Sequence, residues 1–256
     1  MNIFVCVKRV PATGSRITLT GDAMRIDTKN LGFTVSPHEE CAVEEAVCLV
    51  ETHGGTSVVL TLGPEEAVEQ LQAALAIGIE RAILLEADVD GWDAVATADA
   101  IVEAVRAEEA AGTAFDLLLF GNEAADSGDY QVGVRVAYAL GLPCVTGVKA
   151  LGVDGATVTA RREVAGGAEV FDVSLPAVVT VKEGINLPRF ASVPGRIKAK
   201  KKEIARSAPA APMAVVQTLG LRVPPEQQGE VQILGTGPDA APAVVDLLEQ
   251  LGVAAR

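Results

Sequence analysis

From residue 1 to about 141 the chain alternates short runs of Val, Ile and Leu with longer segments of helical period, and this alternation restricts the fold more than any other feature. The runs are Ile3 to Val7, Ser57 to Leu62, Ala82 to Leu85 and Leu117 to Phe120. Each is too short for a helix and apolar enough for a strand buried on both faces. The first helical segment aligns Val43, Val47 and Val50 and opens with Ser36, Pro37 and Glu39, a capping box with proline at the first helical position. The second runs from Pro64 to Ile77, and Gly78 can end it. A third spans about Asp93 to Glu109, and a fourth aligns Val132, Val136 and Leu140 before Gly141-Leu142-Pro143. Right-handed crossovers turn four such repeats into an α/β fold: a Rossmann-like parallel sheet with helices on both faces.

After Pro143 the pattern changes. Asp154-Gly155 and Gly166-Gly167 are two-residue turn signals between β-branched stretches, which predicts a small antiparallel excursion ending in a buried strand, Ala177 to Val181. Residues 204 to about 229 are rich in Ala, Pro, Gln and Gly without helical period and read as an extended arm, followed by an amphipathic helix near Ala241 to Leu251. The division expected is a nucleotide-binding domain over 1–192, with the end of a docking loop and a C-terminal arm over 193–256.

The net charge of -13 over 256 residues argues against general nucleic-acid binding, because an overall negative field repels phosphate backbones. The four cysteines, at 6, 41, 48 and 144, include no C-x-x-C pair, and His38 and His53 suggest no metal cluster. A reducing, cytoplasmic compartment is expected. No apolar run approaches the roughly 18 residues that span a bilayer.

Signatures of the common dinucleotide, P-loop, hydrolase and zinc-protease sites are absent, and no catalytic constellation stands out. What remains is the loop after the fourth strand, Gly121-Asn122-Glu123-Ala124-Ala125-Asp126-Ser127-Gly128-Asp129-Tyr130-Gln131. A glycine-containing turn at the carboxyl end of a parallel strand offers backbone N–H groups and a helix dipole to an anion. Asp126 and Asp129 would repel phosphate if they faced it, so they are expected to cap the following helix while the main chain binds. A plain polar loop is the other reading. A second feature is the segment Asn186 to Lys202, where five of the seven residues from Arg196 to Lys202 are cationic in an acidic protein. It reads either as a solvated face or as a stiff loop offering Phe190 and Val193 beside charges. Trp92, at the start of a helix, reads as a packing anchor.

Several stretches together are similar to the beta subunit of electron-transfer flavoproteins over about residues 1–203. They are Val5-Cys6-Val7-Lys8-Arg9-Val10-Pro11, Ser36-Pro37-His38-Glu39 with Ala42-Val43-Glu44-Glu45-Ala46, Ala74-Leu75-Ala76-Ile77-Gly78, the loop Gly121 to Gln131, and Leu175 to Thr180. The most specific is Asn186-x-Pro188-Arg189-Phe190 followed by Lys198-Ala199-Lys200-Lys201-Lys202. The resemblance implies an electron carrier without catalytic residues of its own, paired with an alpha subunit that holds the redox FAD. It implies AMP in this chain's crevice, or a second FAD in electron-bifurcating relatives. By position, the nucleotide would meet Cys6, Ser36, Pro37, His38, Glu39, Leu62 and the run from Gly121 through Val132. Docking of flavin dehydrogenases such as acyl-CoA dehydrogenases would use Arg189, Phe190, Val193, Pro194, Arg196, Lys198, Lys200 and Lys201, with Val193 as the apolar anchor. Contact with a membrane would be indirect, through a quinone reductase, and a eukaryotic source would place the protein in the mitochondrial matrix. The alternative from the architecture alone is a free-standing adenine-nucleotide sensor of the universal-stress type.

Overall fold

In the computed structural model, which describes residues 1–88, 90–225 and 231–253, the apolar runs become strands that side chains cover from both sides. β1 (Asn2–Cys6) turns Ile3 and Val5 to one face and Phe4 and Cys6 to the other, all buried. β2 (Val10–Pro11) and β3 (Phe33–Thr34) pair antiparallel at the base of an excursion over residues 12–32, and an isolated bridge joins Leu19 to Ile26 within it. This excursion lacks periodicity and was not anticipated. α1 (Pro37–His53) has the expected capping box.

The expected alternation continues with β4 (Thr56–Gly63), α2 (Val68–Ile77), β5 (Arg81–Glu86), α3 (Ala94–Ala110), β6 (Leu117–Gly121) and α4 (Val132–Leu140). Residues Glu65–Ala67, read as the start of the second helix, form a 3-10 turn before it. α1 and α2 pack on the Ile3/Val5 face, and α3 and α4 on the Phe4/Cys6 face, where Phe4 meets Phe115 edge to face at 4.9 Å.

The two turn signals close a meander: β7 (Cys144–Asp154), β8 (Thr157–Val164) and β9 (Gly167–Ser174) pair antiparallel before β10 (Ala177–Val181) returns to the sheet centre. β7 also pairs parallel with β10, so one strand serves both the parallel sheet and the excursion.

Two expectations are corrected downstream. The segment read as a stiff cationic loop folds into α5 (Val193–Ala199), because the Ser192 hydroxyl accepts the Gly195 N–H at 3.1 Å and Pro194 sits in the first turn, where its missing N–H is harmless. The start of the extended arm is β11 (Ile204–Ser207), paired parallel with β5, with Arg206 ion-paired to Glu65. The sheet order is β11-β5-β4-β1-β6-β10-β7-β8-β9. The chain divides into units of Met1–Leu221 and Arg222–Arg256, the second carrying α6 (Ala241–Gln250) after a 3-10 turn. Among the described residues no helix is long and apolar enough to cross a membrane.

α5 lies so close to α2 that a Cβ on Gly195 would stand 2.4 Å from the Ala76 carbonyl oxygen. Gly195→Ala must therefore push the two helices apart, and overpacking of this kind costs about 1–3 kcal/mol. The expected outcome is a lower urea midpoint at an unchanged slope; an unchanged midpoint would show that α5 does not sit at this distance in solution.

Candidate functional site

The ends of β4, β1 and β6 are held level by the sheet register, which sets Cys6 opposite Leu60 on one side and Phe120 on the other. From β1 the chain proceeds to β4, while β6 flanks the opposite edge, so the loops beyond these strands diverge and leave a crevice. A cavity of about 410 Å³ fills it. Its apolar floor is Cys6, Leu60, Leu62 and Phe120; the beginnings of α3 and α4 contribute Trp92, Ala94, Val132 and Gly133, and the excursion contributes Ile26, Thr28 and Phe33.

Three helices of the first unit begin at this crevice, and their ends differ. At α1 the Glu39 carboxylate accepts the Ser36 N–H at 3.3 Å and, through the same oxygen, the Lys8 N–H at 3.1 Å. At α3 the Asp93 side chain accepts from the Val95 and Ala96 N–H groups at 3.0 and 2.9 Å. At α4 no side chain of the described residues caps the end. The expectation that Asp126 and Asp129 cap α4 is corrected: Asp126 pairs with Lys8 Nζ at 2.8 Å and accepts the Ser127 N–H, and Asp129 accepts from the Gln131 side chain at 3.0 Å. These local partners satisfy both carboxylates one turn short of the helix. The α4 N–H groups therefore stay free beside the cavity, where a positive helix end favours an anion, and the Lys8 ammonium offsets the charge of Asp126.

Of the residues singled out in the sequence, Cys6, Glu39, Leu62, Gly121, Glu123, Ala124, Asp126, Ser127, Asp129, Tyr130 and Val132 line the cavity. Ser36, Pro37, His38, Asn122, Ala125, Gly128 and Gln131 do not line it. The Ser36 hydroxyl donates to the Glu123 carbonyl at 3.2 Å, and His38 Nε2 stands 3.3 Å from a Glu123 carboxylate oxygen. His38 Nδ1 accepts the Glu183 N–H at 3.2 Å, and Asn122 accepts the Thr180 hydroxyl at 2.8 Å. Lys8, Arg9, Thr180 and the excursion residues were missed, and Trp92, read as a packing anchor, also lines the cavity. Lys8, Arg9 and Thr180 follow or end strands at the crevice, so the strand-end rule that located the loop could have found them. Arg9 stacks its guanidinium 3.4 Å above the Phe33 ring.

Elsewhere, Phe190 and Val193 are 96% and 71% exposed, and Pro194, Arg196, Lys198, Lys200 and Lys201 are exposed around them. Arg189 is exposed as well but turns its guanidinium to α1, where it meets Glu44 and Glu51.

Burial pushes the Glu39 carboxyl up to about 8 against the pull of its two N–H donors, and burial also raises the Cys6 thiol. A carboxyl that binds its proton more tightly in the folded chain contributes stability that is fully present below about pH 4.5 and is lost as the pH rises through about 8. Glu39→Gln removes that titration. Denaturant unfolding of both proteins from pH 4.5 to 8.5 is expected to show the wild type losing stability relative to the variant as pH rises, whereas parallel curves would contradict a protonated Glu39.

The electron transfer flavoprotein domain matches residues 23–212. The chain is 38% identical over 206 residues to the electron transfer flavoprotein subunit beta of Bacillus subtilis, covering 80% of this chain and 77% of that one. It is 36% identical over 234 residues to the subunit of the same name from Syntrophomonas wolfei, covering 91% and 90% of the two chains. The protein of that name from Megasphaera elsdenii is 30% identical over 266 residues, 98% of each chain. On the matching domain and on these relatives, the chain belongs to the electron transfer flavoprotein family.

Proposed function

We propose that the chain is the nucleotide-holding half of a two-subunit electron carrier, the beta subunit beside an alpha subunit that holds the redox FAD. The observation that supports this most is the uncapped start of α4 over an apolar cavity in a family of flavoproteins. The residues fit an adenine nucleotide. Apolar walls suit a base, and free N–H groups at 129–134 suit a phosphate. In this reading AMP lies against Cys6, Leu62 and Trp92 with its phosphate at the start of α4; in a bifurcating carrier a second FAD would take its place.

The FAD of the alpha subunit supplies the redox chemistry, taking electrons from a dehydrogenase and giving them up to a quinone-reductase-type acceptor. This chain's part is to bind and position. Its crevice holds the nucleotide as a fixed element, and its 186–201 segment meets flavin dehydrogenases, of which acyl-CoA dehydrogenases are one class. Exposed Met213, Leu219, Val231 and Ile233 support an arm that packs on the alpha subunit. The free-standing sensor is not favoured, because the similarity to named beta subunits runs the length of the chain, arm included.

Gly128 tests the cradle. Its φ of +65° lies in the left-handed region, and its N–H closes the loop on the Ala124 carbonyl at 2.8 Å. A β-branched residue there is strained by about 1–2 kcal/mol, so Gly128→Val must move the loop. Nucleotides released from the denatured heterodimer and separated by chromatography are expected to include one adenine nucleotide beyond the alpha subunit's FAD. That nucleotide is expected to be depleted in Gly128→Val and retained in Asp126→Asn. Full retention in Gly128→Val would contradict a main-chain cradle.

A further inference from the structure

The segment from Asn186 to Val193 divides its side chains between two directions. Asn186 and Arg189 turn inward to α1. The Asn186 amide donates to the Cys41 carbonyl at 3.0 Å and to Glu45 at 2.8 Å. Arg189 gives its backbone N–H to Glu44 at 3.0 Å and its Nε to both Glu44 oxygens at 2.9 and 3.1 Å. Its two terminal nitrogens reach the two oxygens of Glu51 at 2.7 and 2.9 Å. Cys41, Glu44, Glu45, Cys48 and Glu51 follow helical spacing, so they form one stripe of α1. Leu187 and Phe190 point the other way, 90% and 96% exposed, followed by Val193 at 71%.

Three exposed apolar side chains within one short segment mark a contact surface, whose burial against a partner would remove them from water. Beyond them the segment is fixed again. The Ser192 hydroxyl caps α5, and Lys202 donates to the Ile79 and Glu80 carbonyls at 2.8 and 3.0 Å. The cations between, Arg196, Lys198, Lys200 and Lys201, form no ion pair among the described residues. The surface complementary to this one is an apolar hollow rimmed by carboxylates.

We propose that Arg189 is a positioning residue, which clamps the segment to α1 so that Leu187, Phe190 and Val193 stand as a preformed docking edge, and that it does not itself touch the partner. This rests on the reading of the segment as the dehydrogenase-docking surface. The exposed guanidinium already has its partners within the chain, in Glu44, Glu51 and, at 3.5 Å, the Cys48 sulfur. Holding the edge in its bound shape removes an ordering cost from association, so loss of the clamp weakens docking without altering what happens after docking.

The test uses the heterodimer with its FAD-bearing partner subunit as the electron acceptor of a flavin dehydrogenase, at several ionic strengths. Removing the Arg189 charge would leave Glu44 buried and unpaired, so the informative variants are Arg189→Lys, which keeps charge but loses the fork, and Glu51→Gln, which is exposed and loses half of it. Both are expected to raise the dehydrogenase's KM for the carrier, by roughly fivefold and threefold, at unchanged kcat and bound nucleotide. Because Arg189→Lys keeps its charge, its salt dependence should stay parallel to wild type, so that a raised KM there reports lost geometry, whereas replacing Lys200 and Lys201 by Gln should flatten it. Phe190→Ser and Val193→Ala should raise KM by about tenfold or more.

If those two apolar variants leave KM unchanged, the docking reading fails and the proposal with it. If they raise KM while Arg189→Lys and Glu51→Gln do not, docking stands and the positioning role is overturned. If Arg189→Lys raises KM while Glu51→Gln does not, Arg189 acts as a contact and the positioning role is overturned. Should Arg189→Lys fail to fold, Glu51→Gln alone decides.

Discussion

β1 is hydrogen-bonded to β4 on one side and to β6 on the other, and its side chains are buried on both faces. A strand in that position forces the rest of the architecture. Both faces must be covered by helices, each crossover must return to the same end of the sheet, and the chain leaving β1 must diverge from the chain leaving β6. The cavity is the space that this divergence leaves. Glu39 then fixes its edge, since one carboxylate oxygen joins the chain leaving β1, at Lys8, to the chain entering α1, at Ser36.

The distribution of helix caps follows the same economy. Local carboxylates close α1 and α3 at the crevice, while α4 begins there without a side-chain cap and is able to receive an anion. Asp126 and Asp129, which by composition would oppose an anion, are held by Lys8 and Gln131. α1 also links the cavity to the segment proposed for docking, because its first turn borders the cavity while Glu44, Glu45 and Glu51 hold Asn186 and Arg189.

What was legible in the sequence is what periodicity and turn chemistry govern. Ile3 to Val7, Leu117 to Phe120 and the two glycine turns at 155 and 166–167 needed no tertiary information, and the loop at 121–131 followed from lying beyond a parallel strand. The misses share a cause, which is that partners distant in sequence decide them. The excursion over 12–32 has no period; it is held by the Leu19–Ile26 bridge and by Arg9 on Phe33. Ile204–Ser207 is too short to signal a strand until β5 offers its edge. Arg189 was expected among the docking residues, because nothing in Asn186 to Phe190 reveals that Glu44 and Glu51 of α1 meet it.

The central claim is that this chain completes an electron carrier whose redox flavin another subunit holds, by docking the dehydrogenase that reduces it. The most direct measurement is stopped-flow visible absorption of the partner's FAD, mixed with a flavin dehydrogenase and its substrate, with and without this chain. The account predicts rapid bleaching of the flavin, and recovery on adding an electron acceptor, only when this chain is present. Equal rates of bleaching in its absence would contradict it.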